Sequence, residues 1–270
     1  MIYVLYHANC VDGFGAAFAA WKKFKDQAQY IPVTYGQSFP LMKTNSEVYI
    51  VDFSYPRAQL LNLVQSMSKV VVLDHHKTAQ EDLKGLDFAK FDMKKSGAML
   101  AWEYFHPETK VPKLIEYIQD RDLWNNILPQ TKEFNLGLSA YSFDFELWDK
   151  IDENTLVAEG ITIERYQEQK IQEMLREVKF INFAGYKSIP VLNCSVLQSD
   201  VVNKMLDKYP QAPFALGYHD LKSGKRKWSA RSRQSEDVDV TIIAAKFGGG
   251  GHKNAAGFTT DLNYLGEESE

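Results

Sequence analysis

The chain contains 270 residues, of which 45% are hydrophobic and 24% are charged, a balance that indicates a globular protein and excludes a disordered or fibrous one. Its formal net charge of −4 excludes the broadly basic surface of a protein that coats long nucleic acids, so an anionic partner is expected to be small or short and to meet a local positive patch. The two cysteines, Cys10 and Cys194, have no CxxC spacing, which excludes a disulfide framework and a thiolate-rich zinc site and favours a reducing compartment.

The amino terminus, MIYVLYHANC, lacks the basic region and the long apolar segment of a signal peptide. No apolar run approaches the roughly 20 residues that a membrane-spanning helix requires. We therefore expect a soluble cytoplasmic protein with no membrane partner.

Strand and helix patterns alternate along the first part of the chain. Apolar, β-branched runs predict buried parallel strands at IYVLY (2–6), EVYIVDF (47–53) and KVVVLDH (69–75), with YIPVTY (30–35) as a weaker fourth. The segment DGFGAAFAAWKKFKD predicts an amphipathic helix, and PRAQLLNLVQSM (56–67) predicts another that starts near its proline. This alternation predicts an α/β fold built on a doubly wound parallel sheet.

The later chain changes character twice. Residues 96–150 favour helices, and the proline-free segment 153–180 predicts a long helix that links two lobes. Beyond Gly185, KSIPVLNC and APFALGYHD predict strands, KRKWSARSR predicts the second arm of a hairpin, and DVTIIAAKF predicts a short helix. The expected domains are a metal-binding catalytic domain at 1–152, a linker helix at 153–185 and a smaller α/β substrate-binding lobe at 186–270.

Polar side chains follow the predicted strands. His7 and Asp12 come after the first strand, Asp52 ends the strand at 47–53, and Asp74, His75 and His76 end the strand at 69–75. Ligands of open parallel sheets bind outside the carboxyl ends of the strands. Carboxylates and imidazoles gathered at that edge repel or stay unsatisfied unless a cation holds them. Mixed Asp and His ligation suits Mn²⁺, with Mg²⁺ or Co²⁺ as alternatives.

Each of these residues also has a structural interpretation. Taken alone, His7 is a hydrogen-bonding residue at a strand end, and Asp12 and Asp52 are capping residues of the helices that follow them. The coincidence at successive strand ends favours the metal site. Asp120 or Asp122, in IQDRDLW, adds a further carboxylate from a helix end.

A second signal is GGGGHKNAAG at 248–257. Glycine runs let backbone N–H groups approach an anion, and a helix that begins at KNAAG would add its positive end, while His252 supplies a side-chain donor. The alternative is a flexible connector. In the nearby basic stretch, strand alternation places Arg231 and Arg233 on one face, where arginine suits phosphate. Trp228 is either a core residue, which we favour, or a base-stacking platform.

In chain order, the motifs HANCVDGFGAA, VDFSY, LDHHKTA, QDRDLW and GGGGHKNAAGF resemble those of the DHH phosphoesterase superfamily, whose members join a metal-binding lobe to a DHH-associated substrate lobe. The resemblance spans nearly the whole chain. It is strongest to the stand-alone two-domain proteins, which include nano-RNases, pAp phosphatases and exopolyphosphatase-like proteins.

The resemblance implies roles for individual residues. It makes His7 and Asp12 metal ligands, together with His75, which has Asp74 beside it, and it makes Asp52 the bridge between two metals. It makes His76 the histidine that faces the phosphate, and His76 and Asp74 are the expected catalytic residues. It makes Asp120 the last metal aspartate, because Trp124 then matches the family's aromatic, with Asp122 as the alternate. It makes a phosphate clamp of Arg231, Gly250, Gly251 and His252.

The first motif departs from the family pattern. Many relatives carry two aspartates there, as H-x-x-x-D-x-D, whereas Asp12 is the single aspartate after His7. Either Asn9 substitutes as a neutral oxygen ligand, or the second metal binds weakly or arrives with the substrate.

The expected function is metal-dependent hydrolysis of a phosphodiester or phosphomonoester in a small nucleotide or a short oligonucleotide. Long duplexes are not expected partners, and a homodimer is compatible with the sequence. Two alternatives stay open. One is a phosphoanhydride hydrolase of the exopolyphosphatase or pyrophosphatase kind, and the other is a nucleotide-binding sensor with a degraded active site.

Overall fold

The computed structural model describes residues 1–234 and 238–266. The chain divides into two compact units, Met1–Glu164 and Arg165–Glu270. The division falls within a single helix that spans Glu153–Met174.

The first unit is built on a five-stranded parallel sheet. In chain order its strands are β1 (Ile2–His7), β2 (Ala28–Val33), β3 (Glu47–Val51), β4 (Lys69–Asp74) and β5 (Ala89–Phe91). They are arranged in the order β2-β1-β3-β4-β5, and every neighbouring pair is parallel. The weakly predicted second strand lies at the edge of the sheet, where Pro32 is tolerated because an edge strand need not donate every ladder hydrogen bond.

Helices cover both faces of this sheet. Those of the first unit are α1 (Val11–Phe24), α2 (Arg57–Ser66), α3 (Lys77–Asp82), α4 (Gly97–Phe105), α5 (Lys113–Asp122), α6 (Thr131–Ser139), α7 (Phe145–Trp148) and α8 (Glu153–Met174), which runs into the second unit. Alternate strand residues feed two separate cores. Val4 and Tyr6 pack with residues of α1 and α4, whereas Tyr3 and Leu5 pack on the other side with Leu60 of α2. The predicted doubly wound architecture is confirmed.

The second unit contains a six-stranded mixed sheet. Its strands are β6 (Lys179–Phe183), β7 (Tyr186–Asn193), β8 (Ala215–Asp220), β9 (Lys225–Arg231), β10 (Gly250–His252) and β11 (Ala255–Asp261), and its helices are α9 (Gln198–Lys208) and α10 (Val240–Ala245). The order is β10-β11-β9-β8-β7-β6. Strands β7 and β8 pair in parallel, and the other neighbours are antiparallel.

Two local predictions are wrong. The segment 153–185 is not helical throughout, because α8 ends at Met174, a 3₁₀ turn follows at Leu175–Glu177, and β6 then joins the second sheet. The helix predicted at KNAAG is instead the turn and second strand of a hairpin formed by β10 and β11. The reason is pairing with β9 along the whole of β11, which alternates buried Ala256 and Phe258 with less buried residues.

A helix with the length and apolar character of a membrane span is absent from the described part of the chain.

Trp228 is a core residue and not a stacking platform. Its side chain is fully buried, its Nε1 donates a 2.9 Å hydrogen bond to Thr260 Oγ1, and its ring packs against Phe183 and Phe258. The favoured interpretation of this residue is therefore confirmed.

We expect Trp228→Ala to lower the free energy of unfolding by about 3–5 kcal/mol, because it leaves a large cavity in the second unit. Urea denaturation followed by circular dichroism measures the loss. Ile242→Ala is the control, since that side chain is 64% exposed on the neighbouring helix α10, and its effect should stay within about 0.5 kcal/mol. Equal effects of the two substitutions would contradict the assignment of Trp228 to the core.

Candidate metal centre

Three adjacent strands of the first sheet end at one edge with polar residues. Strand β1 ends at His7, β3 is followed directly by Asp52, and β4 ends at Asp74, with His75 and His76 next in the chain. Strands β1, β3 and β4 are neighbours, and the strand order reverses between β1 and β3. That reversal creates the crevice in which ligands of doubly wound sheets bind.

Asp52 lies at the centre of this edge. It is only 1% exposed, and its φ of 53° puts it in the left-handed region as the chain leaves β3. Its Oδ1 lies 3.2 Å from His75 Nε2, and its Oδ2 lies 3.6 Å from His7 Nδ1. Neither oxygen accepts a hydrogen bond of good geometry from the described residues. Burial favours the neutral acid, but the two histidines outweigh it and hold the pKa of Asp52 below its usual range.

Asp12 is held by the start of another helix. Its Oδ2 accepts a 2.6 Å hydrogen bond from Gly97 N, and its Oδ1 accepts a 2.9 Å bond from Ala98 N, both in the first turn of α4. It therefore does not cap its own helix, which begins after Cys10. Its Oδ2 also lies 3.5 Å from His75 Nε2. Burial and the nearby carboxylates raise the pKa of Asp12 well above its usual range.

The helix-end carboxylate that joins these groups is Asp122. Its Oδ2 lies 3.6 Å from His75 Nε2. The structure does not bring Asp120 into the cluster. The Asp120 carboxylate instead accepts hydrogen bonds from Ile127 N at 3.1 Å, from Leu128 N at 3.0 Å and from Thr131 Oγ1. Asp120 thus organises the loop between α5 and α6, and the alternate residue supplies the carboxylate.

In the Asp-His-His run, the Asp74 carboxylate holds the residues that follow it in place. Asp74 is fully buried and accepts hydrogen bonds from Ser54 Oγ at 2.6 Å and from His75 N at 2.7 Å. Its Oδ1 also lies 2.6 Å from His76 Nδ1, which donates to it. Burial alone would lower the pKa of His76, but Asp74 raises it to about 9. Asp74 is therefore a positioning residue for His76.

Gly97 packs against the central carboxylate of Asp52, a role that the sequence motifs did not predict. A Cβ atom built on it would lie 2.4 Å from Asp52 Cβ and 2.7 Å from Asp52 Oδ1. A side chain at this position would displace the central carboxylate. The available signal was the dipeptide Ser96-Gly97 before an apolar helix, since Ser96 caps α4.

Asp52 belongs to two groups of possible ligand atoms and lies beside a third. The groups are His7, Cys10 and Asp52; Asp52, Asp74 and His76; and Asp12, His75 and Asp122, with the ligand atoms inside each group within 4.8 Å of one another. The first and the last of these lie on opposite oxygens of Asp52. One oxygen of Asp52 faces His7, and the other faces His75. A buried carboxylate without donors, placed between two such groups, fits the bridging ligand of two divalent cations.

In the second unit, two predicted phosphate contacts share a row of the sheet. Ala255 pairs with Arg231 on one side and with His252 on the other, so the three residues face the same way, and the outer two are about 10 Å apart. The Arg231 guanidinium donates to Ser229 Oγ at 2.9 Å and to Ser199 Oγ at 2.7 Å. Gly250 and Gly251 belong to β10, where a Cβ on Gly251 would lie 2.4 Å from Ala255 O.

Arg233 does not share this arrangement. Its guanidinium donates to the backbone oxygens of Leu206, Tyr209 and Ala212, at and beyond the carboxyl end of α9. It satisfies carbonyl groups that the helix leaves without partners. The prediction that Arg233 contacts phosphate is replaced by this capping role, because β9 ends at Arg231 and strand alternation no longer applies two residues later.

No family model matches the chain. Solved structures do resemble it over nearly its whole length. The DHH domain of PF0399, a member of a family of ribosomal proteins, aligns with a TM-score of 0.57 at 14% identity, covering 96% of this chain and 82% of that one. RecJ from Thermus thermophilus, in complex with Mn²⁺, aligns with a TM-score of 0.54 at 16% identity, and the alignment covers 96% of this chain and 49% of the RecJ chain. The pGpG-specific phosphodiesterase PggH from Vibrio cholerae aligns with a TM-score of 0.52 at 15% identity, covering 97% and 93%.

The chain therefore shares the fold of a DHH domain, and it carries the Asp74-His75-His76 run at the end of β4. Among curated proteins, the chain is 36% identical to the uncharacterized protein R106 of Acanthamoeba polyphaga mimivirus, over 94% of its own length and 66% of that protein. It is 24% identical to the oligoribonuclease NrnB of Bacillus subtilis, over 95% of its own length and 72% of that protein.

The roles of the two candidate carboxylates of helix α5, Asp120 and Asp122, can be separated experimentally. We expect Asp122→Asn to weaken Mn²⁺ binding at least about tenfold, since it removes a charged ligand, without lowering stability. We expect Asp120→Asn to lower the free energy of unfolding by about 1–3 kcal/mol, because it leaves donors of the 127–131 loop unpaired. Calorimetric titration and urea denaturation measure the two effects. Weaker metal binding in folded Asp120→Asn alone would restore Asp120 as the ligand.

Metal binding should release protons. The carboxylates around His75 raise its pKa to about 10 despite burial, so the imidazole is protonated in the metal-free protein at neutral pH. Because a bound cation must displace a proton from this ring, affinity should rise with pH by about tenfold per unit for each proton released. Calorimetry in two buffers of different ionisation enthalpy between pH 6 and 8 counts these protons. His75→Gln should lower the count and His106→Gln should not, and a pH-independent affinity would contradict the assignment.

Proposed function

We propose that this protein is a divalent-metal-dependent phosphoesterase that hydrolyses small nucleotides or short oligonucleotides, with Mn²⁺ as the favoured ion and Mg²⁺ or Co²⁺ as alternatives. The observation that carries the proposal is the Asp52 carboxylate, buried without hydrogen-bond donors among the described residues between two groups of ligand atoms. The presence of Mn²⁺ in the RecJ structure supports the use of a divalent ion.

His7, Asp12, Asp52, His75 and Asp122 would hold the ions. Bound divalent cations lower the pKa of water and neutralise charge on a reacting phosphate. Asp12 is held in place by two backbone N–H groups of α4, and Asp52 is confined by the close approach of Gly97. Such ligands cannot turn away when the centre is loaded, and preorganisation of this kind is what electrostatic catalysis requires.

His76 would contact the phosphate directly. Its Nδ1 is bound to Asp74, which fixes the plane of the ring. Its pKa of about 9 keeps the imidazole protonated at neutral pH. A cationic ring in a fixed orientation can donate a charge-assisted hydrogen bond to a phosphate oxygen, and that bond strengthens as negative charge develops on the oxygen.

The second unit would supply phosphate contacts of its own. Arg231 and His252 lie in one row of the sheet with the small residue Ala255 between them. Burial lowers the pKa of Arg231 to about 10, so the guanidinium is still cationic at neutral pH. An Arg-His pair with room between its members suits one phosphate group and not an extended strand.

The excess of acidic residues in the chain favours a short substrate. The chain carries 35 acidic against 31 basic residues, so each added nucleotide would gain little from the surface beyond the clamp. Affinity for nucleic acid grows with the number of phosphates neutralised. The name of the B. subtilis relative, an oligoribonuclease, supports the same substrate class. A phosphoanhydride such as polyphosphate is the competing substrate.

We expect Asp52→Ala to lower Mn²⁺-dependent hydrolysis of a dinucleotide at least about a hundredfold, because the two ions would lose their shared ligand. The assay uses protein stripped with chelator and reloaded with Mn²⁺. Asp87→Ala, at an exposed position of the same unit, is the matched control. Undiminished turnover in Asp52→Ala would overturn the metal-centred proposal.

A ladder of 5′-labelled RNAs at fixed salt tests the substrate length. We expect catalytic efficiency to be highest for mononucleotide derivatives or oligonucleotides of about two to five units, since few phosphates can be neutralised. Polyphosphate run in parallel distinguishes ester from anhydride hydrolysis. Efficiency that climbs steadily to twenty or more nucleotides would indicate a processive exonuclease instead.

A further inference from the structure

Cys10 occupies an unusual place for a cysteine. It is the residue before helix α1, is half-buried, and lies in the turn between His7 and Asp12. Its Sγ, a ring nitrogen of His7 and a carboxylate oxygen of Asp52 all lie within 4.8 Å of one another. The other cysteine, Cys194, is buried in an apolar cluster in the second unit, as a structural thiol is expected to be.

A second observation points to a ligand at the same spot. Asp52 is 1% exposed, and its oxygens accept no hydrogen bond of good geometry from the described residues. One of them, Oδ2, is turned toward His7. A buried carboxylate beside an imidazole and a thiol is the arrangement that a bound cation would complete.

We propose that Cys10 is a metal ligand, which gives the centre two chemically different positions. This inference rests on the metal-centred function proposed above. The His7-Cys10-Asp52 position offers sulfur, nitrogen and oxygen, whereas the Asp12-His75-Asp122 position offers one imidazole and two carboxylates.

The alternative ligand, Asn9, has a different place in the turn. It is exposed, and its φ of 55° lies in the left-handed region. Asparagine adopts that conformation more readily than most residues, which accounts for its presence without a ligand role. Cys10, in contrast, is extended and directly precedes the amino end of α1. On metal binding the thiol would give its proton to solvent, and the bound cation would stabilise the thiolate.

The donor sets imply a difference in metal preference. Thiolate favours thiophilic ions such as Zn²⁺, Co²⁺ and Cd²⁺, while carboxylates suit Mn²⁺ and Mg²⁺. The position that contains Cys10 should therefore retain a thiophilic ion when Mg²⁺ is in excess. The position that contains Asp122 should exchange freely between Mn²⁺ and Mg²⁺.

Co²⁺ titration of the full chain tests this assignment, because cobalt bound to thiolate gives a sulfur-to-metal charge-transfer absorption that oxygen and nitrogen ligands do not give. The protein is stripped with chelator and kept reduced with a phosphine. We expect the absorption in the wild-type protein and in Cys194→Ala, and its absence in Cys10→Ser and Cys10→Asp. Circular dichroism and bound-metal stoichiometry show that each variant is folded and loaded.

Competition between Cd²⁺ and Mg²⁺ gives a second readout. Cys10→Asp replaces the thiol with a carboxylate, so we expect its preference for Cd²⁺ over Mg²⁺ to fall at least about tenfold while Mn²⁺ still binds. An unchanged preference in this variant would overturn the assignment.

The outcomes separate the two proposals. Cobalt that binds stoichiometrically to the wild-type protein without the charge-transfer absorption would overturn the role of Cys10 and leave the metal-centred function standing. Loss of the absorption in Cys194→Ala but not in the Cys10 variants would overturn it as well. Failure of any divalent ion to bind the wild-type protein would overturn both.

Discussion

The buried carboxylate of Asp52 is the constraint on which the rest of the first unit depends. A charge that is 1% exposed and has no good hydrogen-bond donor among the described residues is costly, since the penalty for burying an ion is recovered only through a compensating partner. Two histidines at 3.2 and 3.6 Å compensate part of it. Divalent cations would compensate the remainder.

The sheet and two glycines create the space for it. The neighbouring strands β1, β3 and β4 bring together the residues that follow them. Helices α1 and α4 pack closely against this edge of the sheet. A Cβ on Gly13 would lie 2.3 Å from His7 O, and one on Gly97 would lie 2.4 Å from Asp52 Cβ. Both helices can approach only because these residues lack side chains. Helix α4 then uses the N–H groups of its first turn to hold Asp12, so packing and electrostatics serve the same arrangement.

Much of this arrangement was predictable from the sequence. The runs around Val4, Ile50 and Val72 are short, apolar and β-branched, so they predict buried strands, and parallel topology then places His7, Asp52 and His75 at one edge. The choice between Asp120 and Asp122 was not predictable from spacing. The two lie two residues apart at a helix end, where a small change in helix rotation exchanges the residue that faces the sheet.

In the second unit, pairing between strands determined secondary structure that the local sequence pattern did not predict. The segment after His252 is rich in alanine and glycine and carries little signal for a strand, yet seven residues of β11 pair with β9. Strand alternation predicted that Arg231 and Arg233 share one face, and this prediction failed because β9 ends at Arg231. Residue propensity and periodicity predict the interior of a strand or helix, whereas tertiary contacts determine the residue at which it ends.

The buried charges of the first unit also bear on whether the site is degraded. The single aspartate of the first motif suggested a sensor that has lost its chemistry. A protein without a cation to bind would be more stable with an apolar or amide side chain at Asp52 and with fewer carboxylates near it, because removing buried like charges relieves repulsion. The chain instead keeps Asp12, Asp52 and Asp122 around one histidine, and it places the thiol of Cys10 beside Asp52 and His7. Because this arrangement costs stability in the absence of metal, it supports the proposed metal centre over a site that has lost its chemistry.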